Sequence, residues 1–186
     1  MGRRGKTKRN GRNDRITTII LVCVLLAGIV IVAYPSVSNW WNEQVTTRAV
    51  ATYDEAVANL SEEDYTAYFE AAEAYNEKLA EIGSARAIPS PELVDEDYWD
   101  LLDVSGTGVM GYVTIDKIDV QLPIYHGTDV NVLQTASGHL EGTSLPVGGE
   151  STHSVISAHR GLPSALLFTH LDQMEVGDTF TITVLC

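Results

Sequence analysis

The stretch MGYVTIDKIDVQLPIY, residues 110–125, decides the fold class of the chain. Residues 110–115 and residues 120–125 are short runs rich in β-branched and aromatic side chains, which favour extended backbone. Residues 117–119, between the two runs, predict a turn. We therefore expect two neighbouring strands here and a β domain built around them.

Two further runs of the same kind follow, at residues 154–158 and 179–185, and glycine-rich segments separate them. Many short strands with turns between them, and no alternation with helices, are typical of a sandwich or a barrel. The sequence therefore predicts a mainly β domain over residues 101–186.

Residues 42–82 predict helical structure in front of this domain. Ser61 is a suitable N-cap, because three acidic residues follow it where the helix dipole favours negative charge. Apolar residues then recur at spacings of three and four: Tyr65, Tyr68, Phe69, Ala72, Tyr75 and Leu79. We interpret this stripe as a surface that packs on the β domain, with a ligand groove as the alternative. Residues 83–100 carry two prolines and predict a linker, so residues 35–100 form a helical lead-in and linker.

The N-terminus has the pattern of a membrane anchor. Residues 1–15 carry a net charge of +6, and residues 16–33 (ITTIILVCVLLAGIVIVA) contain no charged side chain. About 18–20 helical residues span a hydrocarbon core, and no small-residue cleavage site of a signal peptide follows. We expect a cytoplasmic tail at residues 1–15, a single anchor in the membrane lipid at residues 16–34, and an extracellular remainder.

The charge of the chain excludes one class of partner. The formal net charge is −13, and because the tail is basic, the rest of the chain carries −19. A body of this charge repels phosphate, so we expect no nucleic-acid partner.

The candidate chemistry lies among five histidines: His126, His139, His153, His159 and His170. No metal-binding cysteine or histidine spacing and no phosphate-binding glycine loop occurs, so we predict neither a metal nor a cofactor. His159 stands out because it ends the predicted strand 154–158 and precedes the turn-forming residues RGLP. A histidine at a strand end beside a loop is placed for acid–base catalysis, and a structural polar histidine is the alternative.

Consecutive segments of the chain resemble the motifs of sortases, especially the class C type that builds pili. The segments are residues 111–128 (GYVTIDKIDVQLPIYHGT), 138–149 (GHLEGTSLPVGG), 153–163 (HSVISAHRGLP), 167–172 and 176–180. The resemblance covers residues 98–185 and implies a sortase-like β-barrel behind the anchor and the helical segment. It also implies that His159 is the catalytic histidine.

The activity that the resemblance implies is that of a thiol transpeptidase on the outer face of a Gram-positive membrane. Such enzymes cut an LPxTG-like sorting signal and pass the acyl group to an amine of a pilin lysine or a cell-wall precursor. A cysteine thiolate forms the thioester, a histidine transfers protons and an arginine stabilises the oxyanion. The implied partners are therefore pilins and amine acceptors, and no cofactor takes part.

The chain departs from the family pattern after His159. No TLxTC-like motif and no arginine beyond Arg160 follow, and Cys186 lies in TFTITVLC, which resembles an earlier strand than that of the nucleophile. We therefore expect a barrel that is incomplete at its C-terminal side, in a fragment that is inactive as it stands. A non-catalytic, membrane-anchored binding or structural protein with a sortase-like domain is the alternative.

Many class C enzymes have a lid with an Asp-Pro-aromatic triplet, and no Asp-Pro occurs in this sequence. Asp97, Tyr98 and Trp99 lie in the corresponding region and are the candidate for a degenerate lid. The alternative is that Tyr98 and Trp99 begin the packed domain.

Overall fold

The computed structural model describes residues 11–82 and 96–186, so the linker residues 83–95 and the first ten residues of the tail lie outside it. The chain begins with one long helix, α1 (Gly11–Ala58), which continues through Pro35. An 18-residue window within this helix has a mean hydropathy of 3.1, and none of that window is buried. By length and composition alone, α1 could therefore cross a membrane.

The helical region expected at residues 42–82 consists of the end of α1 and a second helix, α2 (Glu62–Ile82). The predicted cap is present, because Ser61 Oγ accepts a hydrogen bond of 3.1 Å from the backbone N–H of Asp64. The Ser61 hydroxyl also donates to the Asp64 carboxylate at 2.6 Å. This cap fixes where the chain turns between the two helices.

The apolar stripe of α2 packs on the β domain. Ala72, Tyr75 and Leu79 are buried and belong to the same hydrophobic core as the residues of the sheet. The interpretation of the stripe as a packing surface is therefore confirmed. The buried Asn76 side chain lies beside the stripe and bonds both backbone groups of Leu145, accepting from its N–H at 2.7 Å and donating to its carbonyl at 3.1 Å.

Five strands form one mixed sheet with the order β4-β3-β2-β1-β5. The strands are β1 (Val109–Ile115), β2 (Val120–His126), β3 (Ser137–His139), β4 (Ile156–Ser157) and β5 (Thr181–Thr183). β2 and β3 run parallel, joined through the short helix α3 (Val130–Leu133), and the other neighbours are antiparallel. β4 and β5 are thus the two edges of the sheet within the described residues.

The sheet is open within the described residues, so the incomplete barrel that the resemblance implies stays a prediction. The expectation of a mainly β structure holds for residues 101–186, whereas helical residues outnumber strand residues among all the residues that the structure describes. The predicted turn at residues 117–119 is a 3-10 helix, Asp116–Ile118, followed by Asp119 in the left-handed region. The pair β1 and β2 was predicted within one or two residues, but β4 and β5 are shorter than expected and β3 was not predicted.

The C-terminal half of α1 forms hydrogen bonds with the β domain at three positions along its length. The Asn39 side chain accepts from the N–H of Leu166 at 2.8 Å, and the Asn42 side chain donates to the Thr135 carbonyl at 3.0 Å. Further along the helix lies Tyr53, which is fully buried, so that burial raises the pKa of its hydroxyl to about 12. Because these side chains recur on one helix face, α1 lies along the domain.

Tyr53 connects α1 to two adjacent strands of the sheet, β1 and β5. Its hydroxyl donates to the Met110 carbonyl in β1 and accepts from the N–H of Leu185, which follows β5, each at 3.0 Å. β1 and β5 also approach each other so closely that a Cβ placed on Gly111 would collide with the carbonyl oxygen of Thr183. Only glycine therefore fits at position 111.

We predict that Asn76→Ala destabilises the fold by about 2–4 kcal/mol, because it leaves a buried N–H and a buried carbonyl of Leu145 without partners. Urea unfolding of the detergent-solubilised chain, followed by tyrosine and tryptophan fluorescence, measures the loss. Asn59→Ala is the matched control, since the Asn59 side chain is exposed and donates to the Glu55 carbonyl in the last turn of α1, which ends just before it. Equal losses for the two variants would contradict the role given to Asn76.

Candidate active site

His159 lies where the sequence predicted it, two residues beyond β4 and at the start of a loop, and its side chain is partly buried. Its carbonyl accepts a hydrogen bond of 3.2 Å from the N–H of Phe168, so the loop of residues 160–167 leaves and returns beside it. Within this loop, Leu162 and Ala165 form an antiparallel bridge. We call residues 160–167 the His159 loop. The hydrogen bond between Phe168 and His159 closes this loop and so gives His159 a defined backbone position at the edge of the sheet.

The neighbouring Arg160 forms an ion pair on the surface. Its guanidinium pairs with the Asp172 carboxylate at 3.1 Å, and both side chains are more than half exposed. Exposed ion pairs of this kind contribute about 0–1 kcal/mol to stability. Arg160 therefore has a surface partner in this structure.

The segment that leads into β4 is held by a second loop, residues 139–145, which we call the support loop. Backbone bonds join Leu140 N–H to the Val155 carbonyl at 2.8 Å and Ser144 N–H to the His153 carbonyl at 3.0 Å. Two hydroxyl groups complete the contact, since Thr143 accepts from the N–H of Val155 and Ser144 accepts from the N–H of His153. The approach to His159 is therefore fixed from its N-terminal side.

His139 organises the support loop from inside the core. Its Nε2 lies 2.9 Å from the Ser144 carbonyl oxygen and its Nδ1 lies 2.9 Å from the Tyr98 hydroxyl. A carbonyl can only accept, so Nε2 carries the proton and Nδ1 accepts from Tyr98. The ring is thus neutral, in agreement with burial, which lowers its pKa to about 4 against the opposing hydrogen bond to Ser144.

Tyr98 is the other centre of this buried network. It lies in the 3-10 helix Glu96–Asp100, it has no exposed surface, and its hydroxyl also accepts from the N–H of Gly127 at 3.1 Å. Burial raises the pKa of this hydroxyl above its usual range. The rings of four residues surround it with centroids 5.2–6.0 Å away: Tyr75, Trp99, His126 and His139.

Tyr98 is therefore packed within the domain, and Trp99 beside it is 49% exposed. A degenerate lid at residues 97–99 stays a prediction. The sequence did not single out Tyr98 and His139 as partners. The feature of the sequence that could have indicated the network is the histidine within GHLEGTS, in the predicted β domain. A buried imidazole needs hydrogen-bond partners for both of its ring nitrogens.

Cys186 is distant from His159 along the sheet. It is exposed and follows β5, whereas His159 follows β4 at the opposite edge. Four strand spacings separate the two edges, which is about 19 Å along the sheet. The other cysteine, Cys23, lies on the exposed apolar part of α1. The structure therefore brings neither cysteine to His159.

A cavity of about 550 Å³ lies between α1 and the turn that joins β1 to β2. Polar and acidic side chains line it on the α1 side, and the region after His159 contributes Leu166, Leu167 and His170. His159 itself is not among the residues that line this cavity. The cavity is thus a feature of the α1 contact rather than of the candidate catalytic position.

Comparison with known proteins places these features in a family. The family model of the sortase domain matches residues 113–185. Sortase C1 from Streptococcus agalactiae is 44% identical, with a TM-score of 0.67, over 74% of this chain and 70% of that one. Sortase C from Streptococcus pneumoniae is 41% identical, with a TM-score of 0.62, over 74% and 68% of the two chains. No curated protein sequence matched the chain.

We predict that Tyr98→Phe lowers the free energy of unfolding by about 1–3 kcal/mol. The variant keeps the ring but leaves the Gly127 N–H and His139 Nδ1 without their shared partner in the core. Urea titration at pH 7 measures the change. Tyr65→Phe is the control, because Tyr65 is partly exposed and stacks on Phe69. A Tyr98→Phe chain as stable as this control would contradict the network.

We also predict that His139 makes the fold sensitive to acid. Its pKa is about 4 in the folded chain and 6.5 in the unfolded chain, so the fold favours the neutral ring. The contribution is complete above pH 6.5 and is lost as the pH falls towards 4, by roughly 2–3 kcal/mol at pH 4.5. Urea midpoints at pH 7 and pH 4.5 measure this dependence.

His139→Gln should reduce that pH dependence, and His153→Gln should leave it unchanged because the His153 side chain is exposed. A His139→Gln chain with the full loss between pH 7 and pH 4.5 would refute the assignment. Titration of the His139 ring by nuclear magnetic resonance gives the same answer without a substitution.

Proposed function

Because the chain belongs to the sortase family, we propose that it is a membrane-anchored class C sortase that acts on LPxTG-like sorting signals. The observation that carries this proposal is the match to sortase C1 from S. agalactiae, at 44% identity over 70% of that chain. The family is one of transpeptidases, and the acceptor in this proposal is an amine of a pilin or of a cell-wall precursor.

We assign the proton transfers to His159. A thiolate attacks the carbonyl carbon of the sorting signal, the C–N bond breaks, and the departing amine takes a proton from the His159 imidazolium. A thioester remains. The incoming amine then attacks the thioester, gives its proton to the neutral imidazole, and releases the thiolate. The position of His159, beyond β4 and beside a closed loop, supports this role.

We assign the nucleophile and the oxyanion-binding arginine to no residue of these 186. Cys186 follows β5 at the other edge of the sheet, and Arg160 is paired with Asp172 on the surface. A thiol that acts with His159 has to lie within hydrogen-bond reach of the imidazole or of one intervening water. Neither cysteine meets this requirement by its place in the fold.

We assign anchoring to the apolar part of α1. Its composition supports a membrane span at residues 16–34, and the +6 charge of residues 1–15 supports a cytoplasmic N-terminus. Residues 35–186 then lie outside the cell. The first hydrogen bond between the described part of α1 and the domain is at Asn39, on that side of the proposed span.

A chimera tests the catalytic assignment. Residues 113–185 replace the matching segment of S. agalactiae sortase C1, so that this host provides its own remaining residues. We expect cleavage of an LPxTG peptide in the presence of hydroxylamine. His159→Asn in the chimera should reduce the rate by about 100-fold or more, which is the usual size of a general acid–base contribution.

His153→Asn is the matched control, since His153 lies in the same motif and its side chain is exposed. It should leave the rate within about two-fold of the chimera, because it removes no group that touches the reacting atoms. An inactive but folded chimera would favour a non-catalytic binding or structural protein. Turnover by the unmodified 186-residue chain that disappears on Cys186→Ala would overturn the assignment of the nucleophile.

A further inference from the structure

The His159 loop lies close to the expected membrane surface because α1 runs unbroken from the apolar span to the domain. The first contact is the 2.8 Å hydrogen bond from the N–H of Leu166 to the Asn39 side chain. Asn39 is six residues beyond Ala33, the last residue of the apolar run, so it stands about 9 Å further along the helix axis. The headgroup layer is about 5–8 Å thick on each side of a bilayer.

The opposite side of α1 carries exposed apolar residues within about 8 Å of Asn39 along the helix axis. Tyr34, Val37 and Trp41 are 56%, 61% and 65% exposed, and Trp40 beside them is 57% exposed. Helical side chains lean towards the N-terminus, so the indole rings lie nearer to the span than their Cα atoms do. Tryptophan and tyrosine favour the headgroup region of a bilayer.

Leu166 completes this arrangement on the side of the domain. It is 47% exposed although it is apolar, and its backbone is fixed to α1 by Asn39. Residues 39, 42, 46, 50 and 53 face the domain by helical periodicity, whereas residues 34, 37 and 41 face away. Exposed apolar groups therefore lie on both sides of α1 along the stretch of residues 34–41.

We propose that the His159 loop rests on the lipid headgroups through Leu166, opposite the aromatic residues of α1, and that this contact holds the candidate active site at the membrane surface. The partner is the bilayer interface itself, and the contact is apolar. The −19 charge of the chain beyond the tail argues against attraction to anionic lipids. This proposal rests on the proposed anchoring by α1.

The contact has a consequence for access to His159. Phe168, whose N–H bonds the His159 carbonyl, is two residues from Leu166, and two residues span at most about 7 Å. His159 and Leu166 are thus neighbours in the same loop closure. A polypeptide that reaches His159 has to approach alongside the lipid surface.

Fluorescence quenching in the full chain tests the proposal. The chain is reconstituted in phosphatidylcholine nanodiscs with a nitroxide on some headgroups, and a bimane label is attached at position 166 in Leu166→Cys, with Cys23→Ser and Cys186→Ser. The control carries the label on native Cys186 with Cys23→Ser alone. Residue 186 follows Leu185, which bonds Tyr53, and Tyr53 lies about 21 Å further along α1 than Asn39.

We expect the headgroup nitroxide to quench the label at position 166 at least three-fold more than the label at position 186. Equally weak quenching at both positions would overturn the proposal. A third label at position 30, in Val30→Cys with both native cysteines replaced, reports on the anchor through lipids with a nitroxide on the acyl chain. If the label at position 30 is not quenched, both the anchoring and the lipid contact are refuted. If the label at position 30 is quenched but the label at position 166 is not, the lipid contact alone is refuted.

Two measurements keep these outcomes separate from folding and from catalysis. Leu166 is a half-exposed loop residue, so the labelled chain should keep its helix content and its urea midpoint, and a changed midpoint excludes that preparation from the comparison. The chimera assay does not depend on the bilayer. Its failure would therefore count against the catalytic assignment and not against the lipid contact.

Discussion

The support loop contains three buried polar residues, His139, Thr143 and Ser144, and the surrounding elements are arranged to satisfy them. His139 and Ser144 are buried, and an unpaired polar group at such a position costs about 1–3 kcal/mol. The partners come from distant parts of the chain: Tyr98 bonds the His139 ring, and Asn76 of α2 bonds both backbone groups of Leu145. The loop in turn holds the segment that leads to His159. A requirement for hydrogen bonding thus sets the position of a candidate catalytic residue.

The sheet carries a second constraint, which is that its edges differ in support. β5 pairs with β1 over three residues, and Tyr53 of α1 bonds the chain just beyond it. β4 pairs with β3 over two residues and depends on the support loop for the rest of its alignment. Because His159 follows β4, its place depends on the backbone and side-chain hydrogen bonds of the support loop as well as on the strand ladder, and the side-chain bonds require particular residues at particular positions.

The sequence could predict those elements whose signals are local. β1 and β2 have long apolar runs around a turn, and Ser61 has its acidic partners within three residues, so both were found at nearly the right positions. β4 and β5 extend only as far as their neighbours in the sheet allow, and those neighbours are distant in sequence. The burial of His139 depends in the same way on Tyr98, 41 residues earlier. The sequence indicated His159 as the candidate catalytic residue because a motif surrounds it, not because its environment could be predicted.

The proposed membrane span and the helix face that bonds the domain belong to one helix, α1. A helix that left the span and ended would connect to the domain through a flexible segment, and the height of the domain above the lipid would then vary. α1 instead continues for more than 20 residues past Pro35, and Asn39, Asn42 and Tyr53 fasten successive parts of the domain to one of its faces. Each bond fixes a height along the helix axis, at 1.5 Å per residue. In the proposed arrangement, with a span at residues 16–34 as the origin, the His159 loop is the lowest of the bonded parts and the end of β5 is the highest, so α1 sets which face of the domain is turned towards the lipid.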